Sequence, residues 1–540
     1  MGNSVRLLSF MFSLVLVGAI EVDLACGQTP LLWGNLEPGP YAVGFRNLEK
    51  FDYTRTYRSK RDYFGKLLPG ESARPIQICV WYPAENFDKS ASMALGEYLF
   101  PYPDTGFFEF LSGVQNRELM YLMTSPLSER REEALDLLSL AAGAAKDALA
   151  CEGLFPLIVY APDMGRGIAE NFVLCEYLAS HGFIVAGAHS IGTFALVAEL
   201  NPRDRETMVR DNEFLLAEMR EFPNVDLARI GALGYSAGGL TSLLMGMRNS
   251  GIEATASIEG LYLSRERFDL ARQSPYFDLE KLITPHMTIY TDSEGTPDFS
   301  LLDSLRYSSR YACRIGNTTR RELTSYGNLS SISLYSDEET PSSGHPGYAT
   351  ACEYLYHFFD ACLNGDENSL KFINSPPGSN GFDPDLVNLK VRRADDPPPT
   401  REQFVTIVTE NGIEKDIEIF NKFKNSGYVL FEEAAFNAIG YQYLQRGQIE
   451  GAIAIFTMNT EFYPKSANTW DSLAEACEAG GRTELAIRYL KKVLEVLPDD
   501  SNIDSRFKQA LKTRAEEGLS RLGGWMTMDE HDSASRRRAE

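Results

Sequence analysis

From Gly153 onward the chain alternates short apolar runs with longer amphipathic ones, and this alternation constrains the fold more than any other feature. "FPLIVYAP" reads as a buried strand, "AENFVLCEYLASHG" as a helix stopped at Gly182, "FIVAGAHS" as a strand and "DRETMVRDNEFLLAEMREF" as a helix. "RIGALGYS" is a strand that runs directly into the helix "AGGLTSLLMGMRN". "ATASIEG" and "HMTIYTDSE" are two further strands, and "YATACEYLYHFFDACL" is a closing helix. Strands separated by helical crossovers pair in parallel, and the helices cover both faces of the sheet. The expected fold class is α/β, a doubly wound and mostly parallel sheet. An earlier apolar run, "RPIQICVWYPAE", adds a strand ahead of this series.

A chain of 540 residues exceeds one ordinary core, and composition divides it. Residues 28–374 form the sheet domain. Within them, 91–150 holds an aromatic cluster (Tyr98, Phe100, Tyr102, Phe107, Phe108) and the helix-like "SERREEALDLLSLAAGAAKDALA", read as an insertion or lid over the site or as a peripheral helix. Residues 375–400 have the Pro, Gly and Asp content of a linker. Residues 401–524 are helical and repeat internally. One constant offset matches Phe436 with Trp470, Ile439 with Leu473, Gly440 with Ala474 and Gly447 with Gly481. It also matches Ala452 with Ala486, Phe456 with Leu490 and Pro464 with Pro498. Small residues that let paired helices approach, with a Pro ending each unit, resemble tetratricopeptide repeats, whose unit is about 34 residues long. Such a module docks a peptide or protein partner or packs as an appendage. Residues 525–540 read as a disordered tail.

At the other end, residues 1–27 read as a signal peptide, with Arg6 before a short apolar run and small residues at Ala25 and Gly27. The expected location is secreted or periplasmic. Lipid anchoring at Cys26 is the alternative, weakened by Asp23 where a lipoprotein box wants a large apolar residue. The run is too short for a transmembrane span. The net charge of −23 argues against nucleic acid, which needs a basic footprint. Among 8 cysteines no C-x-x-C spacing occurs, so no zinc or redox motif is indicated. Cys79 and Cys175 fall in apolar patterns that suit buried thiols.

Chemistry concentrates at Gly234-Tyr235-Ser236-Ala237-Gly238. Gly-x-Ser-x-Gly alone is a weak signal, but a strand directly before it and a helix directly after it make a nucleophile elbow. Ser236 then presents its hydroxyl near a helix N-terminus, where developing negative charge is favoured. A serine needs a base. Of the six histidines, His345 lies in the loop "PSSGHPGYA" between the last strand and the last helix, where the order Ser, acid, His puts the base. The acid is either Glu259, after the strand following the nucleophile helix, or Asp292 (or its neighbour Glu294), one strand later. The oxyanion hole calls for two backbone N–H groups, from Ala237 and from Met164 in "YAPDMGRG".

"GPYAVGFRNLEKFDYTRTY", "RPIQICVWYPAE", "LASHGFIVAGAHS", "GYSAGG" and "YTDSEG" together resemble exported bacterial α/β-hydrolases related to plasma-type platelet-activating factor acetylhydrolase and, more distantly, to dienelactone hydrolases. The resemblance spans about residues 39–370. It implies an α/β-hydrolase fold and favours Glu259 over Asp292 as the acid. It also puts His189 near the site, tuning it. One departure stands out: the family's oxyanion loop reads His-Gly-x-Gly, whereas here it reads Pro162-Asp163-Met164-Gly165, with a negative charge beside a site that must stabilise one. The expected function is a serine hydrolase of carboxylic esters, short-chain or lipid-type, needing no cofactor and no metal. An amidase or peptidase on the same residues is one alternative. A non-catalytic binding protein using the helical module is another.

Overall fold

The computed structural model describes residues 29–57, 61, 64–67, 70, 72–88, 91–99, 136, 138–195, 198–293, 295–332, 344–411, 413–425 and 429–523. The signal run with Cys26, the cluster members Phe100, Tyr102, Phe107 and Phe108, Glu294 and the 525–540 tail lie outside them. The chain divides into two compact units, residues 1–395 and 396–540.

The first unit is built on one sheet. Its strands are β1 (Ala42–Thr56), β2 (Ala73–Ala84), β3 (Ser92–Ala94), β4 (Ala141–Lys146), β5 (Phe155–Ala161) and β6 (Ile184–Ala188). They continue with β7 (Val225–Tyr235), β8 (Ile252–Ile258), β9 (His286–Tyr290), β10 (Arg310–Ile315) and β11 (Val387–Arg392). The spatial order is β11-β10-β9-β8-β7-β5-β6-β2-β1-β4-β3. Strands β5 to β10 run parallel. β2 lies antiparallel to both β6 and β1, and β11 closes the far edge antiparallel to β10. This mostly parallel sheet, with a separate C-terminal helical region, is consistent with an α/β-hydrolase.

Side chains alternate across the central strands, as a period of two requires. Ile158, Tyr160, Leu233 and Tyr235 join one core with the helices α1 (Phe172–Ser180) and, further along the chain, Pro346–Phe359. Leu157, Val159, Ile230 and Ala232 join the opposite core with α2 (Pro202–Glu218) and α3 (Ala237–Arg248). Residues 346–359 are α4 below. α2 starts where it does because Asn201 accepts the Asp204 N–H at 2.9 Å, with Pro202 in the first helical turn.

Two segments differ from the sequence reading. The end of the stretch expected to be helical, Ala141–Lys146, is strand β4, parallel to β1. Alanine favours helix, but tertiary pairing overrides that preference. Close approach requires the glycine at 143, where a Cβ would meet the Trp33 ring at 2.7 Å. In the expected linker, residues 387–392 form β11 and pair along their whole length with β10.

Under the β4 end of the sheet lies Glu176 of α1, fully buried. It accepts hydrogen bonds from Trp33 Nε1 (2.6 Å), Tyr98 Oη (2.6 Å) and Gly143 N (3.0 Å). Tyr98, the described member of the aromatic cluster, therefore serves the core. Burial raises the Glu176 carboxyl to about 7 despite these donors. Between its unfolded value near 4.5 and about 7, the folded chain holds more protons than the unfolded one. Stability from this group is complete below pH 4.5 and is lost as pH rises through 7. Glu176→Gln is expected to flatten that slope, which is on the order of 3 kcal/mol. Melting temperatures of both proteins at pH 5 and pH 7.5 measure it. Equal slopes would refute the assignment.

The second unit is helical. Its elements are α5 (Arg401–Asn411), α6 (Ile413–Asn425), α7 (Glu433–Gln445), α8 (Ile449–Phe462), α9 (Ala467–Ala479), α10 (Thr483–Val496) and α11 (Ser505–Arg521). The bounds of α7 and α8 recur in α9 and α10 at one constant offset, which is also the offset of the matched residues in the sequence. Gly447 and Gly481 turn the corresponding corners with φ of 73° and 70°. Gly440 of α7 lies so close to α8 that a Cβ would meet the Phe456 ring at 2.4 Å.

The seven described cysteines are free thiols, and burial raises those of Cys79 and Cys175. Among the described residues no helix is long and apolar enough to cross a membrane.

Candidate active site

Parallel strands deliver their following loops to one rim, and side chains there come from distant parts of the chain. Pro162 to Met164 follow β5, His189 follows β6, Ser236 follows β7, Glu259 follows β8, Asp292 lies just beyond β9, and Arg320 lies beyond β10. β7 sits between β5 and β8, where the order of the sheet reverses.

Ser236 occupies the sharp turn between β7 and α3, with φ 56° and ψ −112°. A non-glycine residue holds such a conformation at a cost of about 1–3 kcal/mol, and only where its surroundings over-determine it. They do here. The Ser236 N–H donates to Ile258 O at 2.8 Å, and Ser236 O accepts from Gly239 N and Leu261 N at 3.0 Å each. The flanking glycines are required by close approach. A Cβ on Gly234 would lie 2.0 Å from Gly238 O, and one on Gly238 would lie 1.9 Å from Ala161 O. Ser236 itself is 1 % exposed.

Next to it, two backbone N–H groups converge on one oxygen. Met164 N donates to Asp163 Oδ1 at 2.8 Å, and Ala237 N donates to the same atom at 3.2 Å. These are the two residues expected to form the oxyanion hole. Their shared acceptor is the carboxylate of the unusual Asp163, whose own N–H is held by Glu170 Oε1 at 2.8 Å.

The Ser236 hydroxyl accepts a hydrogen bond from Arg320 Nη2. The same guanidinium lies 3.7 Å from Asp163 Oδ2 and 5.7 Å from the Tyr235 ring centre. Its backbone is fixed too: Arg320 O accepts from Tyr235 Oη at 2.9 Å, and Arg320 N donates to Ser293 Oγ at 3.1 Å. Sequence reasoning misses Arg320. The available signal is "TTRRE" shortly after "RYACRI", but that charged run does not read as a strand.

His345 stands at the N-terminus of α4, its N–H donating to Asn328 Oδ1 at 2.8 Å. Its Nε2 lies 3.5 Å from Glu322 Oε2, and its Nδ1 is buried without a hydrogen-bond partner. Neither ring nitrogen is within hydrogen-bond distance of Ser236 Oγ, and His345 does not line the cavity beside it. Burial holds the imidazole below the usual histidine range against the pull of Glu322. Glu322, also missed from sequence, is fixed by the Thr319 N–H at 2.6 Å.

Of the two acid candidates, Glu259 is the more constrained. Its φ is 52°, and its Oε1 accepts the Thr291 N–H at 2.6 Å. Asp292 is half exposed and paired with Arg314. His189 is half-buried, and desolvation holds its imidazole down at about 4, with Nδ1 without a partner. Both ring nitrogens of His286 are engaged by Thr255 and Tyr262.

Beside Ser236 opens a cavity of about 360 Å³. Arg166, Arg267, Arg320 and Arg321 line it, with Asp163 and Glu170 as its carboxylates. Among the described residues no group of three or more His, Cys, Asp or Glu side chains is placed to hold a metal ion.

No family model matches the chain, and no curated protein matches it. Among solved structures, ferulic acid esterase from Streptomyces cinnamoneus matches with a TM-score of 0.44 and 16% identity, over 65% of this chain and 96% of that one.

Proposed function

We propose that the chain is a serine hydrolase of carboxylic esters. The observation that carries this reading is the convergence of the Ala237 and Met164 N–H groups on a single anionic oxygen beside a strained elbow serine. Ser236 attacks the acyl carbon while His345 takes the hydroxyl proton, and the two N–H groups hold the alkoxide that forms. Collapse returns that proton to the departing alcohol. Water then releases the acyl group from Ser236 by the same steps. Glu259 is the carboxylate that orients the imidazole in this scheme. In the structure Glu322 faces His345 instead, Arg320 covers the hydroxyl and Asp163 accepts from both N–H groups. The reaction therefore requires Asp163 and Arg320 to withdraw and the imidazole to turn onto Ser236. Burial keeps that imidazole neutral at pH 7, the form a base needs.

One observation favours a second reading. A guanidinium on the serine hydroxyl cannot accept its proton, and a hydrolase scaffold that has exchanged catalysis for binding would look like this. A fluorophosphonate probe separates the two. The hydrolase reading expects labelling of the wild type, none of Ser236→Ala, and a loss of p-nitrophenyl ester turnover on the order of 10⁴-fold or more in that variant. An unlabelled wild type means binding without turnover. Turnover of the matched anilide at a comparable rate would assign an amidase.

For the second unit we infer a tetratricopeptide-type module, supported by the recurrence of helix bounds and corner glycines at a single period. Signal-directed export remains part of the proposal and rests on residues 1–27 of the sequence.

A further inference from the structure

We infer that the cavity beside Ser236 is a binding site for an oxyanion group, carboxylate or phosphoryl, and that Asp163 occupies the place such a group would take. Three observations meet here. The first is charge: four guanidinium groups face two carboxylates in the cavity, within a chain whose net charge is −23. Overall composition would repel an anion, so this local excess of positive charge needs its own reason. Planar guanidinium groups match the paired oxygens of a carboxylate or phosphate.

The second is geometry. The Ala237 and Met164 N–H groups already hold a carboxylate oxygen at 3.2 and 2.8 Å, and Arg320 lies 3.7 Å from the other oxygen of the same group. The site therefore accommodates an oxyanion, and the chain supplies one from its own loop. The third is the backbone field. α3 is a helix of 12 residues whose N-terminus opens at Ser236, adding partial positive charge to the same point.

One of the two cavity carboxylates is tied into the loop itself. Glu170 is 3% exposed, and its Oε1 accepts from Tyr160 Oη at 2.9 Å and from Asp163 N at 2.8 Å. It braces the loop that carries Asp163. Asp163 is thus the group an incoming anion displaces, and Arg320 the group it recruits, which also draws the guanidinium off the Ser236 hydroxyl. On the hydrolase reading, the substrate is an ester whose carbonyl oxygen takes the two N–H groups while a second, anionic group on the same molecule is held by the cavity arginines. That last clause rests on the proposed function. Anion binding does not.

Calorimetric titration of the full chain with inorganic phosphate and, separately, with succinate tests this. Both are run on the Ser236→Ala protein, so binding is read without turnover. Saturable binding of either is expected, and the arm that binds names the class. Asp163→Ala should tighten it at least fivefold by vacating the N–H pair. Arg320→Ala should weaken it at least tenfold, and Arg321→Ala, at an exposed position, should weaken it about threefold, with circular dichroism confirming that each variant is folded. Binding of neither anion would overturn the site. Affinity unchanged by Asp163→Ala would overturn the role given to Asp163. Anion binding with no fluorophosphonate labelling of the wild type would remove the hydrolase reading alone, and labelling with no anion binding would remove this inference alone.

Discussion

Asp211→Ala is expected to destabilise the protein by about 3–5 kcal/mol, the largest loss of stability of any single change considered. Arg74 on β2 is 2% exposed. It meets Asp211 of α2 through two hydrogen bonds, Nε to Oδ1 at 2.6 Å and Nη2 to Oδ2 at 2.5 Å. Its remaining donors reach the carbonyls of Ile191 and Gly192 at 3.1 and 2.9 Å, in the loop that follows β6. Arg55 Nη1 adds a second cation on the same carboxylate at 2.9 Å. Removing Asp211 strands a buried guanidinium with carbonyls but no counter-charge. The pair's attraction offsets its desolvation only while both members are present. Chemical denaturation measures the loss. Arg74→Met combined with Asp211→Leu should regain more than half of it, because the cost lies in the stranded charge. A double variant as unstable as the single one would contradict this account.

The second large effect concerns the elbow. Gly238→Ala introduces a Cβ 1.9 Å from Ala161 O and 2.7 Å from Pro162 O, both main-chain atoms that cannot swing aside. Relief requires α3 to move away from the end of β5, which separates Ala237 N from Met164 N. Overpacking of this kind costs about 1–3 kcal/mol. The functional effect should be larger than the structural one: labelling of Ser236 by a fluorophosphonate should slow by roughly 10²-fold, since displacement by an ångström is enough to spoil alignment. A variant that folds and labels at the wild-type rate would show that the N–H pair is not what activates this serine.

The strand, the serine and the following helix are legible because each announces itself locally. "RIGALGYS" is a continuous apolar run, as a strand buried on both faces should be, and α3 follows with no intervening turn residues. β4 is not legible, because six residues rich in alanine carry a helical preference that only pairing with β1 and β3 reverses. β10 escapes for a related reason: its arginines and its buried–intermediate alternation hide a short strand inside polar text. Missing β10 also conceals Arg320, which is aimed at the rim by that strand. The contact between His345 and Glu322 joins positions on either side of the short helix Ser325–Ser330, through the capping of a single turn, Arg320–Leu323. No periodicity encodes it. Asp163 is recognisable as an unwelcome charge near the expected oxyanion hole, but its seat on both N–H groups depends on a loop conformation that sequence does not specify.

Asp163 also sets a threshold for any guest. A side chain attached to the very loop it binds acts as a tethered competitor, present at an effective concentration in roughly the millimolar range or above. Dilute anions that could use only the two amides would lose to it. A molecule wins entry by reaching further, to arginines the aspartate does not satisfy, so that selection falls on its size and second charge rather than on being negative alone.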